Sequence, residues 1–171
     1  KQVYEQEFAA DWVTCVCQTP SMNERDREEF LEEFKEQGET TLVGFCIMGG
    51  IFSEGIDLMG DRLIGAAIVG TGLPQVNTER EVLKKHYDRL GENGFDYAYR
   101  FPGMNKVLQA AGRVIRTKED VGCILLMDER FRSTEYRILF PEEWNDMHIC
   151  RMGNVESILK DFWKRNVLDI Q

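Results

Sequence analysis

The residues best equipped for chemistry are those of Gln109-Ala110-Ala111-Gly112-Arg113-Val114-Ile115-Arg116. On a helix, Gln109, Arg113 and Arg116 fall at i, i+4 and i+7, so one stripe carries an amide and two guanidiniums. Leu108, Ala111, Val114 and Ile115 are apolar or small and suit packing against a sheet. Gly112 costs about 1 kcal/mol relative to Ala inside a helix, which predicts a close approach to its backbone. Two guanidiniums and an amide match a polyanion such as a triphosphate, because each guanidinium donates two parallel hydrogen bonds. An amphipathic helix with a solvated basic edge explains the same stripe equally well.

A second stretch, Gly49-Gly50-Ile51-Phe52-Ser53-Glu54-Gly55-Ile56-Asp57, follows an apolar run at Thr41–Met48. In open α/β sheets, ligands gather at the carboxyl ends of strands, where this loop belongs. Three glycines let backbone amides approach a phosphate or ribose, Ser53 adds a hydroxyl, and Glu54 and Asp57 add acceptors. Tight turns use the same residues. Asp128-Glu129-Arg130-Phe131 belongs to the same rim, with its charges solvated rather than catalytic.

The elements that must position these stretches can be read in order. Lys1–Asp11 is polar with scattered aromatics and reads as the end of a helix. Trp12–Gln18 is a short β-type run. Ser21-Met22-Asn23-Glu24 has capping-box spacing and opens an acidic helix to about Gln37, with Phe30, Leu31 and Phe34 as its apolar face. Thr41–Met48 reads as a strand buried on both faces (Leu42, Val43, Phe45, Ile47), and Arg62–Val69 as another apolar strand. Thr78-Glu79-Arg80-Glu81 is a second capping box, opening a helix to about Leu90. Gly91–Gly94 breaks that helix, and Pro102 interrupts an aromatic segment before the Gln109–Arg116 helix. Gly122–Met127 is a further buried strand, and Asn154–Asn166 a closing amphipathic helix with Ile158, Leu159, Phe162 and Trp163 inward. Strands alternating with helices predict an α/β fold with a parallel central sheet.

With 171 residues, 43% of them hydrophobic, the chain is long enough for one domain with a sizeable core. A net charge of -9 argues against a surface that coats nucleic acid generally, and leaves room for a local basic patch. There is no signal-peptide pattern and no apolar run of membrane-spanning length, so no membrane partner is expected. The first residue is Lys, which reads as a piece of something longer. Cys15, Cys17, Cys46, Cys123 and Cys150 show no paired CxxC spacing. Cys15 and Cys17 alternate on a strand and face the same way, but no His or further Cys completes a metal site. No metal is expected, and the compartment reads as reducing and cytoplasmic.

Taken together, the two stretches resemble a known family. Gly-Gly-x-x-Ser-Glu-Gly-Ile-Asp at 49–57 resembles motif V, and Gln-x-x-Gly-Arg-x-x-Arg at 109–116 resembles motif VI, of superfamily 2 helicases. The nearest likeness is to the XPD/DinG family of DNA helicases. Gly72-Leu73-Pro74 after an apolar strand, the Thr117–Gly122 turn and Leu126-Met127-Asp128-Glu129-Arg130-Phe131 keep the family's order. The likeness is good over about residues 40–132 and looser at the ends.

The resemblance implies a second RecA-like lobe over residues 1–171, which closes onto ATP held by the first lobe of the same polypeptide. It implies that Arg113 and Arg116 reach the γ-phosphate as arginine fingers and that Gln109 contacts the phosphates or the water. Glu54, Gly55 and Asp57 would contact the nucleotide, with Asp57 near the ribose or the Mg²⁺ shell. Gly49, Gly50 and Ser53 would touch the backbone of single-stranded DNA or a DNA junction. Many RNA helicases of the superfamily place Arg directly after the first residue of motif VI and Gly before its last Arg. Here those positions are Ala110 and Ile115, which favours the DNA branch.

No GxxxxGK[ST] occurs in the chain, so the loop that cradles phosphates is missing. The chain is therefore expected to hold neither ATP nor Mg²⁺ and to be inactive by itself. A non-catalytic helicase-like docking module for DNA or protein is the alternative. It has no need for the polar residues of both motifs, all of which are present. A redox or metal protein built on Cys15 and Cys17 is the third and weakest reading.

Overall fold

The computed structural model describes residues 1–8, 10–34, 40–50, 52, 58 and 62–167. The chain divides into two compact units, Lys1–Asp128 and Glu129–Gln171.

The first unit is α/β, with parallel strands flanked by helices. Among the described residues its strands form two parallel pairs. β1 (Val13–Cys17) runs beside β2 (Thr41–Phe45), with Val13 opposite Thr41 and Cys17 opposite Phe45. β3 (Gly65–Val69) runs beside β4 (Cys123–Met127), with Gly65 opposite Cys123 and Val69 opposite Met127. Parallel partners need a crossover, and helices supply it in both cases. All strands are shorter than their apolar runs. Ile47 lies beyond the end of β2 and is 54% exposed, so the Thr41–Met48 run is not one strand buried on both faces.

α1 (Gln2–Glu7) precedes β1, and α2 (Glu24–Glu32) connects β1 to β2. The capping box of α2 is built on Asn23, two residues after the position expected from Ser21. The Asn23 Oδ1 accepts the Asp26 N–H at 3.1 Å, and the Asp26 carboxylate accepts the Asn23 N–H at 3.0 Å. Two short side chains here satisfy two orphan N–H groups reciprocally, while the Ser21 hydroxyl lies 3.5 Å from that of Thr19. The helix ends at Glu32, short of Gln37. Its Phe30 is buried and stacks on Phe52 with ring centroids 4.4 Å apart. Leu58 completes this core, with Val16, Leu31, Phe34 and Leu63 packed around it.

α3 (Thr78–Arg89) is capped by Asn77, whose Oδ1 accepts the Arg80 N–H at 2.9 Å. Thr78 is thus the first helical residue and not the cap. The aromatic segment that follows is helical throughout. A π-helical turn (Asp96–Arg100) runs directly into α4 (Phe101–Ala111). Pro102 explains the irregularity, since it has no N–H to give the Ala98 carbonyl four residues back. That carbonyl accepts the Arg80 Nη1–H at 2.7 Å. Met104, Val107 and Ala111 line the buried face of α4.

The Gln109–Arg116 stretch is not one helix. α4 stops at Ala111 with Gly112 as its C-cap, and Arg113 and Val114 continue in a tighter turn that bonds back to Ala110 and Ala111. The glycine marks a helix end, where its helix propensity costs little. Its close neighbour is its own chain, because a β-carbon there would lie 3.2 Å from the Leu108 carbonyl oxygen.

In the second unit, a 3₁₀ turn (Glu129–Arg132) leads to the short α5 (Thr134–Arg137), a further 3₁₀ turn (Glu142–Trp144) and α6 (Val155–Val167). Phe131 and Tyr136 are buried, with Phe140 and Trp144 extending the aromatic cluster. Ile158, Leu159, Phe162 and Trp163 are half-buried along α6, as their spacing predicts.

Candidate functional site

In the first unit, the segments leaving β1, β2 and β3 converge with α4. Gln18, just past β1, joins the first two. Its Oε1 accepts the Ile47 N–H at 2.9 Å, while its own N–H donates to the Phe45 carbonyl at 2.8 Å. The Gly50 N–H closes the turn onto the Ile47 carbonyl at 3.0 Å. Gly50 has no room for a side chain, since a β-carbon would lie 2.9 Å from the Ile47 oxygen and 3.1 Å from the Gln18 amide nitrogen. Gly49 has φ of +77°, a backbone region that costs other residues about 1–2 kcal/mol.

The segment leaving β3 meets α4 backbone to backbone. A β-carbon on Gly72, whose φ is +68°, would lie 2.6 Å from the Gly103 carbonyl oxygen and 3.0 Å from the Met48 sulfur. One on Gly103 would lie 2.7 Å from the Thr71 carbonyl oxygen. Only two glycines permit this approach, and it seats α4 against the strand ends. One helical turn after Gly103, the Lys106 side chain lies over Gly49. A β-carbon built on Gly49 would be 2.9 Å from the Lys106 Cδ and Cε and 3.3 Å from its Nζ.

Gln109 is exposed in the last turn of α4, about 4.5 Å further along the axis than Lys106. Arg113 and Arg116 are half-buried and follow on the turn and the extended segment after the helix. The single helical stripe expected for Gln109, Arg113 and Arg116 is therefore broken at Gly112. Position is supplied instead by Asp120, whose Oδ2 accepts the N–H groups of Arg116 at 2.8 Å and Thr117 at 2.7 Å. Two guanidiniums and an amide are donor types that pair with phosphate, and they follow one another in the chain from the last turn of α4 to the segment that Asp120 anchors. Ser53, Glu54, Gly55 and Asp57 lie outside the described residues.

Four residues of this site carry weaker signals in the sequence. Gln18 acts on a backbone group 29 residues away, which no spacing rule reveals, and Asp120 accepts from donors three and four residues before it in an irregular segment. Gly103 follows a proline and reads as a breaker. Lys106 was legible in principle, three residues before Gln109 on α4.

All five cysteines are free. Cys46 is exposed as a residue, while desolvation of its sulfur by the surrounding chain, and then the neighbouring Cys17 thiol, push its thiol up to about 11. Burial also raises Cys123. Among the described residues no three His, Cys, Asp or Glu side chains cluster as metal ligands, and no helix is long and apolar enough to cross a membrane.

A family model described as the helicase C-terminal domain matches residues 2–147. The chain is 33% identical over 144 residues to a regulator of telomere elongation helicase 1 homolog of Caenorhabditis elegans, covering 78% of this chain and 14% of that protein. It is 35% identical over 174 residues to the homolog of that name in Drosophila melanogaster, covering 90% of this chain and 17% of the relative. It is also 33% identical over 106 residues to the general transcription and DNA repair factor IIH helicase subunit XPD of Dictyostelium discoideum. That match covers 58% of this chain and 13% of the relative. The chain thus spans less than a fifth of each of these relatives.

Proposed function

The chain belongs to the helicase C-terminal domain family, and from that premise we propose that it is the second RecA-like lobe of an ATP-dependent DNA helicase. The lobe completes an ATP site whose phosphate-cradling loop belongs to the first lobe, and it transmits hydrolysis to movement on single-stranded DNA or DNA junctions. The parent enzyme works in the cytoplasm, where its thiols stay reduced.

Arg113 and Arg116 are the arginine fingers. Phosphoryl transfer is accelerated chiefly by positive charge placed where the transition state spreads negative charge, and a guanidinium provides it bidentately. Gln109 contacts the phosphates or the attacking water. Glu54, Gly55 and Asp57 take the nucleotide side of the other stretch, with Asp57 toward the ribose or Mg²⁺, and Gly49, Gly50 and Ser53 take the DNA side. ATP with Mg²⁺ supplies the phosphoanhydride whose cleavage drives the cycle. Supporting this reading is one observation above the rest: the family match spans both polar stretches.

The test is DNA-stimulated ATPase of the full-length parent. Arg113→Ala is expected to lower kcat by about 10³–10⁵ while weakening ATP binding far less. Arg113→Lys restores little, because an ammonium lacks the planar fork. DNA affinity without nucleotide stays near wild type. A variant that melts normally and still hydrolyses ATP at the wild-type rate ends the arginine-finger assignment.

A further inference from the structure

We propose that Lys106 is a phosphate contact for single-stranded DNA, set into the floor made by Gly49 and Gly50. The proposal rests on the helicase reading above and adds to it the charged group that meets the strand. Two separate features of the site point to it. The first is a floor without side chains. Gly49 holds a left-handed φ, and Gly50 is closed in by the Ile47 carbonyl and the Gln18 amide, so the backbone there is pinned. The missing side chain at Gly49 leaves the space that the Lys106 stem fills. The second is a cation brought to that floor from another element. Lys106 comes from the middle of α4, which the Gly72–Gly103 contact holds in place, and its stem lies across Gly49 with Nζ at the edge of the glycine. Among the described residues the ammonium has no hydrogen bond or ion pair.

A lysine with its stem packed on Gly49 and its ammonium at the edge of that glycine is a point charge suited to a phosphodiester, which carries a single negative charge. The net charge of -9 sharpens the case. A polyanion is repelled by most of such a surface, so the few cations that meet it decide where it binds. The contact reads backbone and not base, and so is indifferent to sequence.

The experiment uses the full-length parent and fluorescein-labelled oligothymidylate, with affinity measured across a salt series. Lys106→Ala and Lys106→Met are both expected to weaken binding about 3- to 10-fold, and to make the slope of log K against log salt shallower by about 0.7. Lys106→Arg keeps the wild-type slope and affinity within about twofold. Lys85→Ala, an exposed lysine on α3, leaves both unchanged. Met keeps the stem without the charge, so it separates phosphate binding from packing. Wild-type affinity and slope in Lys106→Met would overturn the proposal, whatever Lys106→Ala does. Should Lys106→Ala fail to fold, the Met and Arg variants carry the same comparison. A wild-type enzyme that binds no oligothymidylate at any salt concentration overturns the helicase reading itself, and the Lys106 contact with it.

Discussion

One carboxylate oxygen of Asp120 holds the backbone of Arg116, accepting its N–H at 2.8 Å and the N–H of Thr117 at 2.7 Å. The helix that carries Gln109 ends five residues earlier than Arg116, so helical geometry does not aim this arginine. A carboxylate that accepts two backbone donors at short range fixes the chain direction there. Asp120 thus fixes the backbone at Arg116.

Replacing Asp120 by Ala should therefore show a split that a purely structural residue would not. Two charge-assisted bonds are lost, each worth about 1.5–3 kcal/mol. In the full-length enzyme kcat for ATP should fall at least tenfold, with KM changing much less. Steady-state kinetics below the melting temperature provide the measurement. A variant with lower Tm and unaltered kcat would reduce Asp120 to a loop anchor.

The chain by itself lacks the loop that cradles phosphates. It is expected to show no ATPase activity and at most millimolar nucleotide affinity, on the order of -4 kcal/mol. Calorimetric titration with a non-hydrolysable ATP analogue is the check. A micromolar, Mg²⁺-dependent site would mean that the nucleotide is held by residues other than those named here.

The thiols allow a pH prediction. Only the thiolate is nucleophilic, and the Cys46 thiol is pushed up to about 11 by desolvation of its sulfur and then by Cys17. At pH 8 Cys46 should alkylate more slowly than a cysteine in an unfolded peptide, and its rate should climb only as pH approaches 11. Because the folded value lies above the unfolded one, its contribution to stability is whole below about 9 and is lost as pH rises through about 11. Mass-spectrometric alkylation rates on the folded and urea-unfolded chain test this. Purified protein should also carry five reduced cysteines and no stoichiometric zinc or iron by elemental analysis.

The meeting of Gly72 and Gly103 predicts a large stability cost for a single methyl group. Gly103→Ala would drive its β-carbon to 2.7 Å from the Thr71 oxygen, with backbone on both sides and nothing flexible to yield. Overpacking of this kind costs about 1–3 kcal/mol. Gly72→Ala adds the strain of a positive φ to a 2.6 Å approach and should cost more. Gly70, also at positive φ but with nothing within 4 Å of its β-carbon, should cost only the strain term. Thermal melting of the three alanine variants gives the order directly.

The fold class was legible in the sequence for a physical reason. Short apolar runs such as Cys123–Met127 alternate with amphipathic stretches such as Thr78–Arg89, and this pattern has few solutions besides parallel strands crossed over by helices. The polar stretch 109–116 announced itself because guanidiniums at that spacing have little business in a core. Boundaries were less legible. Asn23 and Asn77 cap their helices, where the pattern favoured Ser21 and Thr78, because several capping residues stand together and tertiary packing chooses among them. Nor does local pattern reveal what holds the site. Lys106 reaches Gly49 and Gln18 reaches Ile47 across 57 and 29 residues of chain, and Gly72 meets Gly103 across 31. Periodicity reports the face a residue shares with its neighbours in sequence. Contacts between separate elements exist only once strand order and backbone approach have been set, and these only the tertiary structure decides.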